Sequence, residues 1–199
     1  MEKNRQDKKI KAVFLDRDGT INIDKKGYVH DPDDFELYPF SAQAINIINK
    51  LDYLVFVVTN QSGIARAYYT LEDLKAIHLK MNKSLREAGA RIDEIFFSPY
   101  HKEGSVEPFD IDHEDRKPGL GLFKKALQKY HFEIKKSYMI GDKYTDIEFG
   151  KRAGLKTILL LTGDGENEFL NNRNNWIYKP DFIVKNLLAA AKLISKFGE

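Results

Sequence analysis

The sequence contains no cysteine, and this absence removes several kinds of chemistry. A disulfide framework, a thiolate metal site and a cysteine nucleophile are all excluded. Long hydrophobic runs are missing as well, since no stretch reaches the roughly 18 apolar residues that a membrane span needs. Residues 1–11 are charged and have no apolar centre, which argues against a secretory signal. We therefore expect a cytoplasmic protein with no membrane partner, in which any catalysis uses other side chains.

Neither positive nor negative charge predominates in the sequence. The 32 Lys and Arg residues nearly balance the 30 Asp and Glu residues, which leaves a formal net charge of +2. A domain dedicated to nucleic acids normally carries a clear basic excess. We expect no nucleic-acid partner, whereas a small anionic ligand remains open.

The apolar segments predict an α/β fold. Two wholly apolar runs, 12–15 and 54–58, break at Asp16 and Thr59, as expected for strands buried on both faces of a parallel sheet. Further strands are predicted at 92–97, 137–140, 157–161 and 181–184. Helical patterns between most of them predict a doubly wound, mainly parallel sheet with helices on both faces, of the Rossmann type. Its 199 residues fit an N-terminal arm at 1–11 and a single domain at 12–199.

Helices are predicted at 42–50, 71–88, 120–130, 146–152 and 187–197. The strongest begins after Thr70, because Thr70 and Asp73 form a capping-box pattern. By the same logic, the helix at 146–152 is expected to be capped by Thr145 together with Glu148. A long polar loop at 98–118 joins a strand to a helix, and such loops are usually functional or mobile.

The strongest chemical signal is D-R-D-G-T at 16–20, directly after an apolar strand. Asp16 and Asp18 can converge on one cation only if the backbone turns sharply, and Gly19 permits that turn. Mg²⁺ prefers oxygen ligands and can hold a phosphate against a carboxylate. A solvated Asp-rich turn is the alternative, but the strand before it favours a ligand site, because α/β proteins bind ligands at strand carboxyl ends.

Three further polar motifs follow strands or begin helices. T-N-Q-S-G at 59–63 offers a hydroxyl, amides and backbone N–H groups for a phosphate, and R-K-P at 116–118 supplies two cations. G-D-K-Y-T-D at 141–146 adds Asp142, Lys143 and Asp146. Asp146 can also be interpreted as a carboxylate favoured in the first turn of a helix. Together the four motifs supply what phosphoryl transfer through a covalent aspartyl-phosphate requires.

In order and spacing these motifs resemble the four motifs of the haloacid dehalogenase superfamily of phosphatases, from about residue 12 to 184. Within it, D-R-D-G-T-I-N, G-Y-V-H, V-V-T-N-Q-S-G-I-A-R, G-S-V-E and R-K-P-G are similar to the D-glycero-D-manno-heptose 1,7-bisphosphate 7-phosphatases. The related histidinol-phosphate phosphatases share much of the pattern.

The resemblance implies a monomeric Mg²⁺-dependent phosphatase that removes the 7-phosphate of this heptose bisphosphate in lipopolysaccharide precursor synthesis. Histidinol phosphate or another small phosphomonoester is the alternative. One helix and one strand fill the chain from Asp24 to Thr59, so no large cap domain is expected.

The resemblance also implies a role for each motif residue. Asp16 would attack phosphorus, and Asp18 would act first as an acid and then as a base. Thr59 and Lys117 would hold the transferring oxygens. The Asp16 and Asp142 carboxylates and the Asp18 backbone carbonyl would bind Mg²⁺. The sugar pocket would be formed by Asp24, Gly27, Tyr28, Asn60, Gln61, Ser62, Arg116 and Lys143.

The sequence departs from the resemblance at one metal site. Close family members carry a structural zinc, held by three Cys and one His, in the loop before R-K-P. The matching positions here are Ser98, Tyr100, His113 and Asp115, so we expect no structural zinc.

A non-catalytic phospho-receiver module also combines clustered aspartates, a hydroxyl and a lysine. However, a receiver carries its phosphoacceptor on a later strand than its acidic pair. Here Asp16 and Asp18 follow the first strand, which favours an enzyme.

Overall fold

A six-stranded, all-parallel sheet forms the centre of the structure, a computed structural model that describes residues 10–24 and 28–197. The strand order is β3-β2-β1-β4-β5-β6. The strands are β1 (Lys11–Leu15), β2 (Tyr53–Asn60), β3 (Glu94–Ser98), β4 (Tyr138–Gly141), β5 (Lys156–Leu160) and β6 (Phe182–Val184). This architecture confirms the predicted doubly wound α/β fold.

Helices cover both faces of the sheet. Those of the described chain are α1 (Ser41–Lys50), α2 (Leu71–Glu87), α3 (Gly121–Lys129), α4 (Tyr144–Arg152), α5 (Gly165–Asn172) and α6 (Leu187–Phe197). Residues of α1, α2 and α6 share one hydrophobic core with one face of the sheet, and residues of α3 and α4 share a second core with the other face. Within the described residues, no helix is both long and apolar enough to cross a membrane.

The apolar run in β1 explains why the strand must be central. Val13 and Leu15 point into the core on one face, while Ala12 and Phe14 point into the core on the other. All four side chains are fully buried. A strand with both faces covered gains from continuous apolar residues rather than from alternation.

The strand order places the chemistry-bearing residues at one edge of the sheet. Strands β1 and β4 are neighbours, and the chain winds away from them in opposite directions. This switch point opens a crevice at the carboxyl ends of the strands, where doubly wound proteins bind ligands. Asp16 follows β1, Asp142 follows β4, and Thr59 is the penultimate residue of β2.

Two predictions about helices need correction. The predicted cap of Thr145 with Glu148 is wrong, because α4 begins at Tyr144 and its first turn is closed by Asp146, whose carboxylate accepts the backbone N–H of Lys143 at 3.1 Å. Helix α5 was not predicted, since its sequence is polar and buries only Gly165. By contrast, the capping box of Thr70 and Asp73 at the start of α2 is confirmed. Other element ends differ from the prediction by one or two residues, and the predicted arm at 1–11 lies largely outside the described residues.

The second core yields a stability prediction. Phe123 on α3 is 5% exposed and packs against Phe14, Phe132 and Phe149, whereas Phe197 at the end of α6 is 56% exposed. Phe123→Ala should lower the free energy of unfolding by about 3–5 kcal/mol through lost burial and a cavity. The control Phe197→Ala should lower it by less than about 0.5 kcal/mol. Urea unfolding of both variants measures the difference, and equal losses would contradict this core assignment.

Candidate active site

Lys117 lies at the centre of the candidate site. Its ammonium donates to Asp16 Oδ1 at 2.8 Å, to Asp146 Oδ1 at 2.7 Å and to the Val58 carbonyl at 2.7 Å. The residue is only 3% exposed. Burial by itself lowers the pKa of an ammonium, but the Asp146 and Asp16 carboxylates outweigh it and raise the pKa of Lys117 above its usual value. Lys117 therefore stays charged and joins a loop to the ends of β1, β2 and the start of α4.

Three buried carboxylates form a cluster here, and two of them, Asp16 and Asp146, contact the ammonium. Asp16, Asp142 and Asp146 each place an oxygen within 4.8 Å of the others. Burial, followed by the charges of Asp16 and Asp146, raises the pKa of Asp142 well above its usual value. One ammonium within three carboxylates leaves excess negative charge, and an all-oxygen donor set suits a hard cation such as Mg²⁺. The residues thus fit the metal that the sequence predicts.

The Asp142 carboxylate is held by two loops that pack closely on it. It accepts the Asp164 backbone N–H at 2.9 Å and lies 3.5 Å from Thr20 Oγ1. Gly19 has a φ of +79°, and a Cβ at this position would lie 2.3 Å from Asp142 Oδ2. Only glycine fits both the backbone conformation and this contact.

The Asp18 carboxylate has its own set of hydrogen-bond partners and is not part of the three-carboxylate cluster of the described residues. It accepts hydrogen bonds from Arg17 Nη2 at 2.8 Å, from Asn22 Nδ2 at 2.9 Å and from Gln61 Nε2 at 2.9 Å. Burial raises the pKa of Asp18, but the Arg17 charge and these hydrogen bonds outweigh it, so the pKa lies below its usual value. The carboxylate cluster therefore contains Asp146 rather than the Asp18 side chain, and the expected metal contact of Asp18 through its backbone carbonyl stays a prediction.

The amides of the T-N-Q-S-G motif bind other parts of the protein. Asn60 exchanges two hydrogen bonds with the backbone of Lys117, at 2.9 and 3.0 Å. Gln61 donates to Thr59 Oγ1 at 2.8 Å and accepts from Tyr69 Oη at 2.6 Å, in addition to its bond to Asp18. Both amides therefore orient side chains that the sequence predicts to be catalytic.

A cavity of about 340 Å³ opens beside Asp18. Tyr28 Oη lies 3.3 Å from Ser62 Oγ in its wall, and Lys143 Nζ lies 3.3 Å from both Asp24 and Asp164. Of the predicted sugar-pocket residues, Gly27 lies outside the described residues. The other seven all line this cavity: Asp24, Tyr28, Asn60, Gln61, Ser62, Arg116 and Lys143.

Lys143 and Arg116 give the cavity its positive charge. Burial lowers the pKa of Lys143, but Asp142, Asp16 and Asp24 outweigh it and raise the pKa above its usual value. Arg116 donates to the Tyr100 carbonyl at 3.4 Å, which anchors the guanidinium to the loop at 98–118. A ligand with two negative groups can therefore place one group beside each of these two cations.

Side chains of that loop pack together at the positions that the family resemblance matches to a structural zinc site. The rings of Tyr100 and His113 stack with centroids 3.9 Å apart. His113 Nδ1 accepts the Asp115 backbone N–H at 3.1 Å, and the Asp115 carboxylate accepts Lys125 Nζ at 2.5 Å. Ser98 Oγ is buried without a hydrogen-bond partner.

Several residues of the site were missed by sequence reasoning. Asp146 was noticed, but its helical position gave no sign of its contact with Lys117. The sequence motifs imply no role for Arg17, and the position of His78 on the apolar stripe of α2 is typical of a packed histidine. In the structure His78 is 9% exposed and its Nε2 lies 3.3 Å from Arg17 Nη1. A buried histidine on an otherwise apolar stripe was the one available signal.

Comparison with known proteins places these features in a family. A HAD-hydrolase-like family model matches residues 115–190. The chain is 39% identical over 183 residues to a D-glycero-beta-D-manno-heptose-1,7-bisphosphate 7-phosphatase of Pasteurella multocida, covering 92% of this chain and 98% of that protein. It is 38% identical over 171 residues to the enzyme of the same name from Escherichia coli O6:H1, covering 85% and 90%.

A solved structure agrees with the sequence relatives. The D,D-heptose 1,7-bisphosphate phosphatase of B. bronchiseptica, crystallised with magnesium and phosphate, superposes with a TM-score of 0.81 at 29% identity and covers 94% of this chain and 99% of that one. With relatives of this similarity over nearly their whole length, the chain belongs to the haloacid-dehalogenase-like hydrolases, in the family of the heptose-bisphosphate phosphatases.

Proposed function

We propose that this protein is a Mg²⁺-dependent phosphatase that removes the 7-phosphate of D-glycero-D-manno-heptose 1,7-bisphosphate through an aspartyl-phosphate. The observation that carries the proposal is the contact of Lys117 Nζ with Asp16 Oδ1 at 2.8 Å. Two residues along the chain, Asp18 lines a cavity together with Arg116 and Lys143. The sequence relatives named for this reaction support the choice of substrate.

In the first step an Asp16 carboxylate oxygen attacks phosphorus, and the bond from phosphorus to the sugar oxygen breaks. Lys117 faces the attacking carboxylate and offsets the negative charge that gathers on the transferring oxygens. The leaving alkoxide takes a proton from Asp18. The incoming phosphate is negatively charged and favours the protonated form of the nearby Asp18, which opposes the effect of Arg17 on its pKa.

In the second step a water molecule attacks the phosphorus of the aspartyl-phosphate. Asp18, now a carboxylate, accepts the proton of that water, and the bond from phosphorus to the Asp16 oxygen breaks. Free phosphate and the original Asp16 carboxylate result. A side chain that serves as acid and then base contributes about 10²- to 10⁴-fold to the rate.

Mg²⁺ would be held by Asp16 and Asp142, with the Asp18 backbone carbonyl. When bound, it screens the repulsion between the Asp16 carboxylate and the phosphate. Asp146 keeps its hydrogen bonds to Lys117 and to the Lys143 backbone, so we assign it to the support of the lysine.

The walls of the cavity favour a bisphosphate over histidinol phosphate. Arg116 and Lys143 both line the cavity, and a guanidinium can grip a second phosphate through two hydrogen bonds. Histidinol phosphate would instead bring a cationic amine toward these two cations. The substrate is therefore expected to carry a second anionic group at the end away from Asp16.

We also propose that the loop at 98–118 holds no structural zinc. The His113 Nδ1 atom and the Asp115 carboxylate, which stand at two of the matched positions, are both engaged in hydrogen bonds of the loop itself.

Removal of the nucleophile gives the first test of this mechanism. Asp16→Asn should lower kcat by more than about 10³-fold, because an amide cannot form the aspartyl-phosphate. The control Asp33→Asn should keep wild-type turnover, since the fully exposed Asp33 side chain forms a surface ion pair with Lys80. Phosphate release measures both. An Asp16→Asn variant with more than a tenth of wild-type activity would rule out Asp16 as the nucleophile.

Removal of the metal gives a second test. Chelation with EDTA should abolish phosphate release, and added Mg²⁺ should restore it. Asp142→Asn should increase the Mg²⁺ concentration for half-maximal activity by roughly 10-fold or more, because it deletes one anionic ligand. A zinc-selective chelator should leave both the activity and the melting temperature unchanged. Loss of activity under that chelator, reversed by zinc, would contradict the zinc-free loop.

The second phosphate is tested with Arg116→Ala. We expect kcat/KM for the heptose bisphosphate to fall roughly 30-fold, or about 2 kcal/mol, the value of a hydrogen bond to a charged group. For heptose 7-phosphate, kcat/KM should fall less than about threefold. Arg86→Ala, at an exposed position of α2, is the control and should leave kcat/KM for both substrates unchanged. Both anomers of the bisphosphate and histidinol phosphate complete the panel. A preference for histidinol phosphate would keep the mechanism and replace the substrate.

A further inference from the structure

Arg17 is among the largest fully buried side chains of the described protein, at 1% exposure. Its guanidinium donates from Nε to Asp18 Oδ1 at 3.1 Å and from Nη2 to both Asp18 oxygens, at 3.0 and 2.8 Å. Removing a guanidinium from water is costly unless every donor is matched. The fold therefore supports a buried cation whose planar donors are aimed at the proposed acid and base.

Two residues from other elements also contact the guanidinium. Nη2 also donates to Gln61 Oε1 at 3.1 Å, and Nη1 lies 3.3 Å from Nε2 of His78 on α2. Arg17 can only donate, so His78 Nε2 must be the acceptor, which requires a neutral imidazole with its proton on Nδ1. Burial and the Arg17 charge favour that neutral form, since they lower the pKa of His78 to about 3.

Gln61 closes the arrangement on the other side of Asp18. Its Oε1 accepts from Arg17 and from Tyr69 Oη, so its Nε2 must face Asp18 Oδ2 at 2.9 Å and Thr59 Oγ1 at 2.8 Å. The Asp18 carboxylate is thus oriented by donors from the strand ends and, through His78, by α2.

This arrangement sits at the cavity rather than deep in the core. Arg17, Asp18 and Gln61 all line the cavity next to which the phosphate is proposed to bind. A buried ion pair by itself contributes little net stability and can often be replaced by apolar residues. Donors that fix one carboxylate at a cavity wall are better explained by orientation than by stability.

We infer that Arg17 and His78 are positioning residues, which hold the Asp18 carboxylate in the orientation from which it serves the leaving group. The inference rests on the proposed role of Asp18. Neither residue touches the substrate: His78 orients the guanidinium, and the guanidinium orients the carboxylate.

The test compares two leaving groups. A sugar alkoxide needs a proton from Asp18 to depart, whereas p-nitrophenolate is stable without one. The value of kcat/KM reports the steps through departure of the leaving group, so it isolates the acid role from the later hydrolysis. His78→Leu removes the acceptor for Arg17, while His78→Gln can place an amide oxygen near the position of Nε2.

We expect His78→Leu to lower kcat/KM for the sugar phosphate about 10-fold and kcat/KM for p-nitrophenyl phosphate less than about twofold. The 10-fold loss is a fraction of the roughly 10²- to 10⁴-fold contribution of acid–base catalysis. His78→Gln should recover most of this difference. Asn82→Leu is the matched control, because Asn82 lies one turn further along α2 and lines the same 400 Å³ cavity as His78. It should behave as the wild type with both substrates.

Asp18→Asn separates this inference from the proposed function. It should lower kcat/KM far more for the sugar phosphate than for p-nitrophenyl phosphate. If it does, but His78→Leu affects both substrates equally or neither, the positioning role is wrong while the acid role stands. If Asp18→Asn affects both equally, the acid role itself is wrong. Should His78→Leu fail to fold by circular dichroism, Arg17→Lys, which keeps the charge but not the paired donors, is measured in the same way.

Discussion

The buried ammonium of Lys117 is the interaction on which the rest of the site depends. It touches Asp16 after β1, the carbonyl of Val58 in β2 and Asp146 in α4, so one side chain joins three elements. Without it, three carboxylates with oxygens within 4.8 Å of one another would stand unscreened in a buried space. With it, the three carboxylates still exceed the ammonium by two negative charges, an excess that suits a divalent cation. The packing of the site and its fit to a metal thus follow from the same charge imbalance.

The same crowding explains why the turn after β1 tolerates so little change. Gly19 adopts a positive φ, and Gly163 approaches the Asp142 carboxylate from the other side, where a Cβ would lie 2.2 Å from Oδ2. The two backbones meet through the hydrogen bond of Thr162 Oγ1 to the Gly19 carbonyl at 2.6 Å. Two glycine backbones therefore pack closely around one carboxylate at the acidic edge of the sheet, and side chains at these positions would displace the Asp142 carboxylate.

The sequence predicts the parts of the site that follow from local pattern. Asp16, Thr59 and Asp142 could be placed together, because each ends an apolar run and parallel strands bring their carboxyl ends to one edge. The start of α4 could not be placed, because Thr145 with Glu148 matches the capping-box pattern, whereas the observed N-cap residue, Lys143, is not a usual capping residue. The partners of Asn60, Gln61 and His78 could not be predicted either. Arg17 and His78 are 61 residues apart, and no local pattern encodes a contact made by tertiary packing.

The loop at 98–118 lacks the cysteines of the zinc site that the family resemblance implies. Its Tyr100 and His113 rings stack instead, and Asp115 is buried near the start of α3. A Cβ on Gly121 would lie 2.2 Å from Asp115 Oδ1, so the glycine leaves room for that carboxylate beside the helix N-terminus, where negative charge is favoured. Arg116 lies between these two supports, with Tyr100 accepting from its guanidinium and Asp115 preceding it in the chain. The orientation of the Arg116 guanidinium, which lines the cavity beside Asp18, is therefore set by ring packing and one buried carboxylate, with no cysteine in the loop.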